Sequence, residues 1–360
     1  MKKIFFILFA LNIYQCAISQ NPQDIFTASR RGNLNGVKEF IDKGTDINIK
    51  SPDGYNLLHC AVSGYGIHNI ELISYLIDKG VDINALTNQK LSALGLLTEY
   101  VKDTIAFAFL IKKGINMDTC VQKKLPLYNI ISTYAIGNKI KFAKILVENG
   151  YPIEKKCNNN ESPLQYALAW NCPDIAWLLI KKGVKIDSNC LAIDMSQNSF
   201  SNEFNPPGYI DKIKDSIRLY LINNEIGINV SGGRYKTSPI SYSINSNNKK
   251  IFNLLLTKKV KTEICDENGW TPLHEAAYKN PMNNIGDTNQ FYYVKMLVEY
   301  GANLNSISTG ERFYSGFGVG SVTIPEGSTP LDVAIISKAS KKIIDFLIIN
   351  GAIRKIPDNY

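Results

Sequence analysis

Asp266-Glu267-Asn268-Gly269-Trp270-Thr271-Pro272-Leu273-His274-Glu275-Ala276-Ala277, answered by Val294-Lys295-Met296-Leu297-Val298-Glu299-Tyr300-Gly301-Ala302-Asn303-Leu304-Asn305, decides how this chain folds. Asp-Glu-Asn-Gly is a turn, and Thr-Pro opens a helix with proline in the first turn, where its missing N–H costs nothing. Ala276 and Ala277 let a neighbouring helix approach closely. A second helix then ends at Gly301, suited to the left-handed position past a helix C-terminus. The unit is a turn, a helix, a second helix and an extended finger.

Two marks test whether the unit recurs. The closing mark is a Gly followed three and four residues later by an apolar residue and by Asn, Asp or Glu. It stands at Gly44 (Ile47, Asn48), Gly80 (Ile83, Asn84), Gly114 (Met117, Asp118), Gly150 (Ile153, Glu154), Gly183 (Ile186, Asp187) and Gly301 (Leu304, Asn305). Weaker copies carry Glu225 (Ile228, Asn229) and Lys259 (Thr262, Glu263) in place of the Gly, and a last unit closes at Gly351. The opening mark keeps step in Asn56-Leu57-Leu58-His59, Ser92-Ala93-Leu94-Gly95, Leu125-Pro126-Leu127-Tyr128, Ser162-Pro163-Leu164-Gln165, Ser238-Pro239-Ile240-Ser241 and Thr329-Pro330-Leu331-Asp332; the sixth unit has no legible tetrad.

These marks resemble the ankyrin repeat, whose signature is T-P-L-H-x-A in a unit of about 33 residues. The resemblance covers residues 23 to 356 and implies an all-α ankyrin-repeat solenoid of about nine helix-turn-helix units with β-hairpin-like fingers, units 6 and 7 being degenerate. Residues 20–360 are expected to form one repeat domain, with insertions near 190–210, 281–290 and 306–327. Asn198 to Gly208, with Pro206-Pro207, reads as an irregular loop. Arg312 to Ile324 reads as two short strands around a Gly-rich turn, and Asp345 to Ile349 as the closing cap helix.

At the N-terminus Lys2 and Lys3 precede an apolar run from Ile4 to Ile13, and Ala17-Ile18-Ser19 supplies small residues at the spacing a signal peptidase reads. The expectation is a bacterial export signal over residues 1–19, cleaved after Ser19, and a periplasmic or extracellular location. The run is too short to span a membrane, which takes about 20 apolar residues. An uncleaved anchor, or a lipid on Cys16, is the alternative.

Formal charge is +8; without Lys2 and Lys3 it is +6, from 38 basic and 32 acidic side chains. Basic pairs such as Lys112-Lys113 and Lys341-Lys342 sit near the ends of second helices, where cations favour the helix dipole. They form no continuous basic stripe, so no nucleic-acid partner is expected. Six cysteines follow the leader, and the spacing of stacked layers argues against bridging Cys157 to Cys190, so free thiols are expected. No Cys/His metal spacing is present and no cofactor is expected.

Gly316-Phe317-Gly318-Val319-Gly320 lacks the Lys-Ser/Thr and helix of a phosphate loop. The histidines are His59, His68 and His274. His59 and His274 fall in the tetrad, where the resemblance implies a structural bond to backbone. No nucleophile motif is present, so the chain is read as non-catalytic.

What the resemblance implies instead is surface. First helices and fingers of such stacks line a groove, and the residue after each tetrad (Cys60, Leu96, Asn129, Tyr166, Tyr242, Glu275 and Val333) points into it. Trp and Tyr are enriched at interface hot spots, which makes Tyr55, Tyr166, Trp170, Tyr242, Trp270 and Tyr278 candidate partner-binding residues. Phe313, Tyr314 and Phe317 form a second patch, or fold back onto the groove as a lid. The reading is a scaffold that binds another protein. The alternatives are an exported inhibitor or immunity protein, a lipid-anchored envelope element, and a hydrolase built from scattered carboxylates.

Overall fold

A computed structural model describes residues 24–63, 68–100, 103–118, 125–133, 138–156, 160–196, 209–232, 236–279, 285–316 and 319–357. The expected leader, Cys16, Cys120, Cys157, the Asn198–Gly208 loop and Phe317 lie outside the described residues. Within them the chain is all-α apart from one hairpin: eighteen helices form nine consecutive pairs, divided between two compact units, residues 1–152 and 153–360.

The first unit holds α1 (Ile25–Arg30) with α2 (Leu34–Asp42), α3 (Leu57–Val62) with α4 (Ile70–Asp78), α5 (Ala93–Tyr100) with α6 (Thr104–Lys112), and α7 (Pro126–Ser132) with α8 (Lys139–Glu148). First helices pack on first helices in chain order, α1 on α3, α3 on α5 and α5 on α7. Leu57, Leu58, Leu94 and Leu127 fill the layers between them without exposed surface, each worth roughly 1.5–3 kcal/mol of burial. Second helices meet through Phe107 and Phe142, with ring centroids 4.6 Å apart.

The second unit holds α9 (Pro163–Ala169) with α10 (Pro173–Lys181), α11 (Cys190–Ser196) with α12 (Tyr209–Asn223), α13 (Pro239–Asn245) with α14 (Lys249–Thr257), α15 (Pro272–Ala277) with α16 (Asp287–Glu299), and α17 (Pro330–Ile336) with α18 (Lys341–Ile349). Again α9, α11, α13, α15 and α17 stack serially. The antiparallel hairpin β1 (Arg312–Gly316) and β2 (Val319–Ile324) rises between α16 and α17 and pairs Arg312 with Ile324 and Tyr314 with Val322.

Each opening tetrad works as a cap. Ser162 accepts the Gln165 N–H at 3.2 Å while the Gln165 side chain accepts the Ser162 N–H at 2.8 Å, a reciprocal capping box. Thr271 with His274, Asn56 with His59 and Thr329 with Asp332 repeat it. The histidines also reach the next pair: His59 Nε2 lies 3.2 Å from the Leu91 carbonyl and His274 Nε2 3.0 Å from the Ser328 carbonyl. Each closing Gly has positive φ, and Glu225 (φ 57°) and Lys259 (φ 53°) adopt the same left-handed turn without glycine's freedom.

The Asn or Glu four residues after a closing position has a structural job. Its side chain accepts the backbone N–H two residues after the next closing position: Asn48 from Asp82 (3.0 Å), Asn84 from Asn116 (2.7 Å), Glu154 from Lys185 (2.6 Å), Asn229 from Lys261 (2.7 Å), Glu263 from Asn303 (2.8 Å) and Asn305 from Ile353 (2.7 Å). These bonds form a ladder along the fingers. The corresponding position in the fourth pair is Pro152, which has no N–H to give.

Three boundaries differ from the sequence reading. The insertion expected near 190–210 begins with a helix, α11. Lacking a Thr-Pro opening, this helix is held by buried Cys190, Leu191 and Ala192 and by Gln165 Nε2 donating to Asn189 Oδ1 at 2.7 Å. Asp287 to Gln290, read as insertion, is the first turn of α16, which follows Gly286 and carries acidic Asp287 where the helix dipole favours it. The closing helix starts at Lys341 behind Ser340, a full turn before Asp345.

Cys190 and Cys265 are free thiols, and burial pushes the Cys190 thiol up to about 12. Among the described residues no group of His, Cys, Asp and Glu could hold a metal ion, and no helix is long and apolar enough to cross a membrane.

Candidate functional site

The nine sequence-selected residues fall in both units and differ in exposure where their side chains are described. Tyr55 belongs to the first unit, half-buried and edge-on to His59 at 5.7 Å. In the second unit Tyr166 is buried in α9 and braces Trp170, which follows the helix and is 41% exposed, the rings 5.7 Å apart. Tyr242 is half-buried on α13. Phe313 stands out of β1, 63% exposed. For Tyr314 only the backbone, in β1, is described, and Phe317 lies outside the described residues.

The groove positions after the tetrads are equally mixed: Cys60, Leu96, Tyr166 and Val333 are buried. Layers stack closely enough that an apolar side chain there is absorbed into the next pair.

Trp270 and Tyr278 do come together, edge to face at 5.9 Å, but both are enclosed, Trp270 being 2% exposed. Arg312, the first residue of β1, stacks on Trp270, its guanidinium carbon 4.1 Å from the indole centroid. Its Nη1 donates to Glu275 Oε2 at 2.8 Å and its Nη2 to Asp266 Oδ2. Arg312 thus ties the hairpin to the eighth pair.

Both carboxylates are aimed by the repeats. Asp266, in the finger before α15, uses Oδ1 to accept the N–H groups of Asn268 (2.9 Å) and Trp270 (3.0 Å), turning Oδ2 outward. Glu275, on α15, accepts Asn245 Nδ2 of α13 at 2.6 Å on Oε1 and leaves Oε2 for the guanidinium. Burial pushes the Glu275 carboxyl up to about 7, against the pull of the Asn245 amide. Tyr278 nearby is raised to about 12 by burial and by the Glu275 charge.

Sequence reasoning placed Trp270, Tyr278 and Glu275 on one face and missed Asp266, Asn245 and Arg312. Asp266 reads as an ordinary turn residue and Asn245 as a helix-end residue. The available signal was an arginine opening an insertion that directly follows a unit with Asp, Trp and Glu at positions 266, 270 and 275.

At this site one guanidinium is held by two carboxylates over an indole. Both acids are committed to one guanidinium, and His274 and Tyr278 lie against the indole.

Comparison with known proteins bears on most of the chain. The family described as "Ankyrin repeats (3 copies)" matches residues 25–120, 100–190 and 212–308. Among curated proteins, the Potassium channel AKT1 of Arabidopsis thaliana is 38% identical over 58 residues, covering 16% of this chain and 6% of the channel.

Proposed function

From the premise that this chain belongs to the ankyrin repeat family, a protein-protein interaction module, we propose that it is a non-catalytic scaffold. It binds a partner protein through the first-helix and finger face of the unit 153–360. The observation supporting this is Trp170: an indole 41% exposed at the end of α9, backed by Tyr166 and so fixed in place. A large aromatic held rigid before binding loses little freedom on contact, and burying it supplies the anchor energy.

The full-length chain serves as bait for its partner, and affinity is then compared for Trp170→Ala. Loss of about tenfold or more, roughly 1.4 kcal/mol, with unchanged helical circular dichroism is expected. An unchanged affinity removes this face. Trp270→Ala cannot serve, because an indole so enclosed holds the fold and its loss would confound binding.

Export, with removal of residues 1–19, is part of the same proposal and rests on the sequence of the first nineteen residues. The mass of the mature protein tests it: a chain beginning at Gln20 is expected, and an intact Met1 refutes it.

A further inference from the structure

Arg312 is seated in a receptor that the repeats complete without it. The floor is Trp270, the two acids are Asp266 and Glu275, and the bonds that orient those acids come from Asn268, Trp270 and Asn245. None of these orienting groups belongs to the hairpin. The Asp266 and Glu275 side chains are only 3% and 9% exposed with Arg312 in place, and Arg312 itself 16%.

Resting on the scaffold reading, we propose that this is an arginine-recognition site, occupied in cis by Arg312. The hairpin is then an internal stand-in for an arginine-bearing segment of the partner protein, which binds by taking its place.

The chemistry selects arginine. Two carboxylates presented from different elements above one flat ring match a planar guanidinium, which can bond both acids and stack at once. A lysine ammonium is a point charge that satisfies neither the fork nor the stacking. A staple for the hairpin alone does not call for this construction. Burying three charges contributes little net stability compared with apolar packing of the same volume, whereas emptying such a site strands buried carboxylates at a cost of several kcal/mol. A site of that kind tolerates exchange of one guanidinium for another and resists standing empty. Phe313 beside Arg312 remains largely exposed, so the guanidinium is the deep contact that β1 makes at this point.

The test uses the purified full chain. Arg312→Ala leaves the receptor intact and vacates the guanidinium position. Ethylguanidinium is expected to raise the lowered Tm of Arg312→Ala and to shift its tryptophan emission, with little effect on the wild-type chain; ethylammonium is expected to do neither. A synthetic peptide of the hairpin sequence, residues 311–325, should bind Arg312→Ala about tenfold or more tighter than wild type, and its Arg→Lys form should lose that binding.

Equal binding to wild type and variant, or equal binding by the lysine peptide, overturns the proposal, as does absence of rescue. Should Arg312→Ala not fold, Arg312→Gln carries the same measurements, and Asp266→Asn in the wild-type background must loosen the hairpin. These assays need no partner. A failed rescue therefore leaves the Trp170 reading standing, and an unchanged affinity on Trp170→Ala leaves this one standing.

Discussion

His274 should make the second unit acid-labile in a defined window. The ring is buried, accepts the Thr271 N–H at Nδ1 (3.2 Å) and bonds the Ser328 carbonyl through Nε2 (3.0 Å). Both contacts suit the neutral Nε2–H tautomer, and protonating Nδ1 would set a donor against a donor. Burial accordingly pushes its pKa down to about 4, against 6.5 when unperturbed. Between those values the unfolded chain binds the extra proton, so stability is complete above about 6.5 and falls as pH drops towards 4. From two and a half pH units, linkage gives a loss of about 2 kcal/mol by pH 5 and about 3 by pH 4.

The internal control is written into the fold. Gln165 holds the same cap position in the fifth pair without titrating, so His274→Gln should keep the cap and lose the pH dependence. Trp170, Trp177 and Trp270 all lie in residues 153–360, so urea denaturation followed by tryptophan emission reports this unit. Wild type should weaken relative to His274→Gln by about 2 kcal/mol between pH 7 and pH 5. Parallel loss in the two proteins over that interval refutes the assignment.

Three further outcomes follow from the same geometry. Gly301→Ala should destabilise by about 1 kcal/mol, and Lys259→Gly should stabilise by somewhat less, because both positions are left-handed and nothing within 4 Å would meet a Cβ at Gly301; paired urea titrations measure the two. Asn305→Ala removes the acceptor for the Ile353 N–H and a donor to the Gly351 carbonyl, which should cost about 1 kcal/mol and speed exchange of the Ile353 amide, read by hydrogen exchange. Phe252→Ala opens a hole beneath Tyr293, whose ring centroid is 4.8 Å away, and should cost about 3–5 kcal/mol, visible as a lowered Tm.

Much of this architecture was legible because repetition fixes both chemistry and spacing. The closing turns are set by φ, so the pattern remained readable at Glu225 and Lys259, where the residue is wrong but the geometry is kept. The polar residue four positions later was legible as a mark, though its meaning, an acceptor for the next finger, needed coordinates. Helix α11 was illegible because its opening has neither Thr nor Pro and its stability is tertiary, from Cys190 and Leu191 in the layer between α9 and α13. The candidate site was half legible. Trp270 was picked for its residue type, but it is buried and stacked by Arg312, which comes from an insertion outside the repeat and follows no period. Tyr278 is buried beside it, while Trp170, chosen by the same rule, is exposed.

That contrast separates what the repeats supply from what departs from them. Within the repeats, polar side chains answer backbone: His274 bonds a carbonyl and Asn305 an N–H of the next finger, so such residues recur wherever the register recurs. Asp266 spends one oxygen on backbone N–H groups and Glu275 one on the Asn245 side-chain amide, and each turns the other towards a guanidinium that no repeat provides. Carboxylates buried and aimed in this manner are costly unless a cation meets them. The repeats therefore create a demand that only something outside their period can satisfy, whether the chain's own hairpin or an arginine offered by another protein.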